Sequence, residues 1–214
     1  MRIFFVDFKD LSVIIKAKIH TIQFNVNYYS NYLSMIMTYG DCIAKYGSDY
    51  KLKREIESGR LFQLEKGFYS DSKYHSDKEL ISVKYPKAVF SGESAFYYHG
   101  LTDVIPDNYT LATKREDTRI KADSIKQLFI RDDLFDIGIE YMDSDGVTIR
   151  IYNLERMLIE LIRSRCKYPM DYYKEIIGNY RNRIFNMYFA KLEEYASKFS
   201  NGESIMDIIQ LEVL

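Results

Sequence analysis

Beyond Leu154 the apolar residues recur at helical spacing, whereas between Ala88 and Tyr152 they fall in short runs of strand length. This change of period is the strongest constraint on the fold. Leu154, Met157, Leu158, Leu161 and Ile162 trace one face of an amphipathic helix. Pro169 interrupts it, and 170–180, 184–199 and 203–212 read as three further helices, the last two separated by Asn201-Gly202. Ahead of them, 88–90, 109–113, 126–131, 137–141 and 147–152 read as strands. The last two join across Asp143-Ser144-Asp145-Gly146, because Asp-Gly favours a tight hairpin turn. Strands followed by a block of helices make the chain an α+β protein.

The segment 38–70 has a different organisation. A helix over 41–46 carries Ile43 and Ala44, and Gly47 breaks it. Ser48 or Asp49 is placed to cap a second helix over 50–58 by accepting its free N–H groups. Leu52 and Ile56 lie four residues apart and share a face of that helix, and Gly59 stands where a left-handed C-terminal residue belongs. Residues 60–64 and 68–69 then pair across Glu65-Lys66-Gly67 as a hairpin. Helix, turn, helix, hairpin is the order of a winged helix-turn-helix. Such a module has a helix ahead of these two, and only 28–37 is placed to supply it. A start at Met35 or Met37 would leave the module truncated.

Three regions follow: an N-terminal extension over 1–37, a winged-helix-like module over 38–70, and an α+β domain over 71–214 that ends in helices. Within the extension, 1–34 is rich in Ile, Phe, Asn and Tyr, and reads equally as a strand over 2–8 added to a sheet edge or as a segment that is either sequence ahead of the true start or a weakly packed extension. In the third region a polar link over 71–76 leads to a helix over 77–85, closed by Pro86. Ser91 is placed to cap the next helix, which holds Ala95, Phe96 and His99 and ends at Gly100.

Composition narrows the function. No run approaches the ~20 apolar residues of a membrane-spanning helix; the longest, 13–26, is broken by Lys16, Lys18, His20 and Gln23. Asp7, Lys9 and Asp10 interrupt anything resembling a secretory signal. Cys42 and Cys166 stand far apart, without Cys or His partners at metal-ligand spacing, which argues against a disulfide framework or zinc site and for a reducing cytoplasm. The net charge of -1 lacks the global basic signature of a nucleic-acid binder, so DNA binding must come from a local patch.

That patch is Tyr50, Lys51, Lys53 and Arg54 on the second helix, with Arg60 and Lys66 in the hairpin. The helix residues are placed to reach base edges and the hairpin cations to reach phosphate. Asp49, Glu55 and Glu57 share the region, so its field is only mildly positive, and a solvated face of mixed charge is the competing reading.

The signs of catalysis are weak. Gly92-Glu93-Ser94-Ala95-Phe96 begins like a nucleophile elbow, but Phe96 replaces the closing Gly that the sharp turn requires. His99 follows Ser94 by five residues and does not face it on a helix. Ser91 and Ser94 therefore read as structural, and His99 as the maker of a structural hydrogen bond. Gly47-Ser48 and Asp143-x-Asp145 are too far apart in sequence to form a nucleotidyltransferase site, and the aspartates suit a turn. Arg156 beside Glu155 reads as a helix-start salt bridge or cap of the weak, exposed kind. The twenty tyrosines read as core and rim packing. No metal, cofactor or catalytic residue is expected.

Four stretches together resemble the AbiEi-type antitoxins of type IV toxin–antitoxin systems. The first is 52–61, from Leu52-Lys53-Arg54 to Gly59-Arg60-Leu61, similar to that family's recognition helix and following strand. The second is the wing-like 64–69, ending Gly67-Phe68-Tyr69. The third and most specific is 90–102, containing Ser91-Gly92-Glu93-Ser94 and His99-Gly100-Leu101-Thr102, followed by Pro106. The fourth is 153–161, a helix opening on Glu155-Arg156. The resemblance implies a non-enzymatic protein with two tasks. An N-terminal winged helix represses its own operon by binding operator DNA. A C-terminal domain counteracts a nucleotidyltransferase-like toxin in phage defence, without a stable complex. Ser91, Gly92, Ser94, His99 and Arg156 would then belong to the antitoxin domain's motifs.

Overall fold

The computed structural model describes residues 35–214, which form two compact units that divide after Val83. Residues 71–83, grouped by sequence with the later domain, belong with the first unit. The strand expected over 2–8 lies outside the described residues.

The first unit runs β1 (Ile36–Thr38), α1 (Tyr39–Tyr46), α2 (Asp49–Glu57), β2 (Phe62–Glu65), β3 (Phe68–Ser70) and α3 (Asp77–Lys84). A reciprocal capping box starts α1: the Thr38 hydroxyl accepts the Asp41 N–H, and the Asp41 carboxylate accepts the Thr38 N–H. The Thr38 hydroxyl also donates to that carboxylate and, with the backbone bond, holds Asp41 below the usual carboxylate range. Gly47 ends α1 in the left-handed region at φ 86°, where its N–H reaches the Ile43 carbonyl at 2.8 Å. Ser48 opens α2, its hydroxyl accepting the Lys51 N–H at 3.4 Å. The Gly-Ser pair is thus a turn between two helices.

β2 and β3 form an antiparallel hairpin, and β1 adds to the other edge of β3, giving the order β1-β3-β2. Ile36 and Met37 therefore belong to a strand, not to the leading helix that 28–37 was expected to supply; the remainder of that segment lies outside the described residues. Ile36 pairs with Ser70 and Met37 with Tyr69, so the ladder of β3 makes this short segment extended. Met37, Cys42, Leu52, Leu61 and Tyr69 form the core, with Ile43, Tyr46 and Ile56 packed around them.

The second unit runs β4 (Val89–Phe90), α4 (Gly92–Tyr98), β5 (Tyr109–Lys114), β6 (Ile125–Ile130), α5 (Asp132–Phe135), β7 (Ile139–Ser144), β8 (Val147–Tyr152), α6 (Leu154–Arg163), α7 (Met170–Asn182), α8 (Phe189–Ser197) and α9 (Gly202–Glu212). The sheet order is β6-β5-β4-β8-β7. It is mixed: β4 pairs antiparallel with β5 and parallel with β8, β5 and β6 are parallel, and β7 and β8 form the expected hairpin. Asp145 at φ 52° and Gly146 at φ 80° supply the two left-handed residues of its turn, and the Asp143 carboxylate accepts the Gly146 N–H. α6 packs against α4, α8 and α9, and buries Met157, Leu158, Leu161 and Ile162. The architecture is α+β, as its periodicities require.

One helix is shorter than its apolar spacing predicts. Residues 184–199 divide into a 3-10 turn (Ile184–Asn186) and α8. Met187 between them is extended, at φ −98° and ψ 143°, and buried. The Tyr188 N–H leaves the helical ladder to bond the buried Glu155 carboxylate at 2.8 Å. Among the described residues no helix is long and apolar enough to cross a membrane.

Candidate functional site

Helix α2 turns Leu52 and Ile56 into the core and so presents its opposite face outward. Tyr50 and Arg54, four residues apart, share that outer face, and Tyr50 is 70% exposed. Lys51, Lys53, Arg54, Arg60 and Lys66 are all exposed, Lys66 in the β2–β3 turn. They are not equally available. Lys53 pairs with Asp49 at 3.2 Å, and Arg60 is forked onto Glu55 by two bonds of 2.8 Å, which hold that carboxyl below its ordinary range. Lys51, Arg54 and Lys66 enter no ion pair among the described residues. Over 38–70 there are six basic and five acidic side chains, so the segment is nearly neutral, and the cations outside any ion pair among the described residues are Lys51, Arg54 and Lys66 together with Lys45 on α1.

The second unit brings together two stretches that lie far apart in sequence. Because β4 and β8 are parallel neighbours, with Phe90 beside Ile151, both finish at the same end of the sheet. There 90–102 opens α4 and 153–161 opens α6. The two are joined directly: His99 Nε2 donates to the Tyr152 carbonyl at 2.7 Å, since a carbonyl only accepts. α7 and the residue after it bind both. Asn179 donates to the Leu101 carbonyl at 2.9 Å and the Tyr180 hydroxyl to the Leu154 carbonyl at 3.1 Å. The Arg183 guanidinium forks onto the carbonyls of His99 and Gly100.

Ser94 and His99 do not form a catalytic pair. The Ser94 hydroxyl is buried and accepts the Thr110 N–H of β5 at 2.8 Å, whereas the His99 ring is committed to Tyr152. Gly92 is buried against Thr110. Ser91 holds the N-cap position of α4 with extended backbone, but its side chain makes no capping bond, contrary to expectation. Its N–H bonds the Thr110 carbonyl at 3.0 Å, so pairing to β5 positions the start of the helix.

Burial, reinforced by Arg183, holds the His99 ring below the ordinary imidazole value of 6.5. The unfolded chain takes up a proton near that value and the native chain does not. The His99 contribution to stability is therefore fully present above 6.5 and declines as pH falls toward the native pKa. We expect the thermal midpoint of the protein to drop between about pH 7 and pH 5, and a His99→Gln variant to show a shallower drop. Equal slopes would mean that other groups carry the dependence.

Arg156 departs furthest from its sequence reading. It is no exposed partner of Glu155: both are buried, and the Arg156 side chain is 0% exposed. Its Nε and Nη2 bond Glu160 at 3.1 and 2.8 Å, and Nη1 donates to the Leu134 carbonyl at 2.8 Å. The guanidinium lies 5.0 Å from the ring centres of both Tyr152 and Phe199. Asn153, buried as well, caps α6 by accepting the Arg156 N–H at 3.0 Å. Tyr152, Glu160, Asn179, Tyr180 and Arg183 complete this junction. Sequence reasoning missed Tyr152, Asn179, Tyr180 and Arg183 because each acts across the fold, whereas Glu160 is an i,i+4 neighbour of Arg156 on α6.

Among the described residues no group of three or more His, Cys, Asp or Glu is placed to hold a metal ion. No family model matches the sequence, and no curated protein does. Among solved structures, the chain is similar to the crystal structure of the Rv2827c protein from Mycobacterium tuberculosis, with 15% identity and a TM-score of 0.55. The match covers 78% of this chain and 68% of that one. At that identity the likeness is one of fold.

Proposed function

We propose that the protein is the antitoxin of a type IV toxin–antitoxin pair. It counteracts a nucleotidyltransferase-like toxin and represses its own operon through a winged helix. The observation that carries the DNA-binding half is the outer face of α2, where Tyr50, Lys51 and Arg54 stand opposite buried Leu52. The unit's order of strand, two helices and hairpin supports a winged helix read from its first strand onward, with Lys66 at the tip of the wing. The antitoxin half rests on the resemblance of 90–102 and 153–161, and the meeting of those two stretches at one end of the sheet supports treating them as one motif. The buried Ser94 and half-buried His99, both committed to backbone partners, favour action by binding without catalysis, in a soluble cytoplasmic protein.

Growth rescue tests the reading. Co-expression is expected to relieve the toxicity of the neighbouring reading frame. The triple variant Lys51→Ala, Lys53→Ala, Arg54→Ala is expected to keep that rescue but lose operator affinity at least about a hundredfold near physiological salt. Rescue that disappears with the fold unchanged would refute the division of tasks. A toxic neighbour left unrelieved would remove the antitoxin assignment.

The carboxylate partners of Lys53 and Arg60 favour a second reading, in which the first unit docks a protein. Absence of DNA binding even at low salt would select it, since phosphate contacts strengthen steeply as salt is withdrawn.

A further inference from the structure

A cavity of about 630 Å³ opens in the second unit between the turn Arg165–Lys167, α7 and the end of α9. Tyr173 and Ile177 are buried and Tyr168 half-buried along it, giving a floor of rings and aliphatic carbon. Three exposed cations, Arg165, Lys174 and Arg181, stand around it, and none has an ion-pair partner among the described residues. The one carboxylate in the lining belongs to Glu212, and it is already engaged, accepting the Tyr173 hydroxyl at 2.6 Å. Arg181 Nε bonds the Glu212 main-chain carbonyl, also at 2.6 Å, which fixes that guanidinium at the mouth. The cavity thus combines an apolar, ring-lined floor with an excess of positive charge at its entrance, three cations against the single Glu212 carboxylate.

We propose that this cavity binds a small aromatic anion: a planar body on the tyrosine-lined floor, with a carboxylate, phosphate or sulfonate held by Arg165, Lys174 and Arg181. The volume lies within the range of small-molecule sites, which commonly join an apolar lining to a few orienting polar groups. Guanidinium groups recognise such planar or tetrahedral anions through paired, charge-assisted bonds. Its lining shares no residue with α2 or with the junction between α4 and α6, so the proposal stands whether or not the antitoxin reading does.

Cys166 on the lining is exposed while Cys42 is buried, so alkylation of the full-length protein by an uncharged maleimide reports on the cavity. The rate is measured with a naphthalene sulfonate, a mononucleotide, benzoate, inorganic phosphate or no addition. At least one aromatic anion is expected to slow alkylation saturably, about tenfold at a concentration about ten times its Kd, with inorganic phosphate far weaker. The compound that protects identifies the anionic group preferred. In the exposed-site double variant Arg165→Gln, Lys174→Gln, referred to its own unprotected rate, half-protection should require about tenfold more ligand. The proposal is overturned if no aromatic anion protects, if protection is unchanged in the variant, or if inorganic phosphate protects equally well.

Discussion

Replacing Arg156 with Ala is expected to lower the unfolding free energy by about 3–5 kcal/mol, measured by urea denaturation. The magnitude follows from what the side chain leaves behind. The Leu134 carbonyl loses its guanidinium donor, and the gap between the Tyr152 and Phe199 rings loses its filling. Glu160 is the lesser loss, because Arg163 still bonds it at 3.0 Å and it is partly exposed. Arg156→Met separates these effects, since it restores apolar volume without a donor; it should recover part of the loss. A cost below about 1 kcal/mol for the alanine variant would place the pair among ordinary surface ion pairs and remove Arg156 from the centre of the junction.

The second large effect concerns Gly202, the first residue of α9. A methyl group built there would lie 2.2 Å from the Ala196 carbonyl oxygen and 2.8 Å from its carbon. These are backbone atoms in α8, which cannot rotate aside as a side chain would. Gly202→Ala is therefore expected to force α9 off α8 and to destabilise the protein by about 3 kcal/mol. Gly178, in the interior of α7, provides the control. It meets nothing within 4 Å, so Gly178→Ala should instead stabilise by about 1 kcal/mol, as expected for glycine in an open helix position. Thermal unfolding of both variants decides the matter: destabilisation of similar size at the two sites would show that generic helix effects, not close approach, set the response at Gly202.

Several local signals in the sequence were legible where the structure is locally determined, whereas the Ser91 cap was not formed because pairing to β5 sets that helix start. Gly47 and Ser48 state a helix boundary, because a cap needs only the next turn of chain. The β7–β8 hairpin follows from Asp145-Gly146 for the same reason. Features set by distant chain were not legible. β1 is three residues long and becomes a strand through β3. The break before α8 depends on Glu155, thirty-three residues earlier in the chain. The burial of Arg156 reverses a pattern, an acidic-basic pair at a helix start, that elsewhere marks a solvated face. Among the α2 candidates, residue type identified the exposed cations but not their inequality, since Asp49 and Glu55 had to be seen bonded to Lys53 and Arg60.

The parallel pairing of β4 with β8 also orders events in time. β4 has two residues, too few to hold a sheet together alone, and its parallel neighbour ends only at Tyr152. Every strand of the first unit's small sheet has been synthesised once Ser70 is added, well before β8 begins. The centre of the larger sheet waits for the whole intervening stretch, several seconds at about 5–20 residues per second. Throughout that interval the apolar faces of β4 and β5 have no β8 to close them. The nascent chain thus carries a completed small sheet ahead of an open larger one, and its exposure to misassembly is concentrated in the latter.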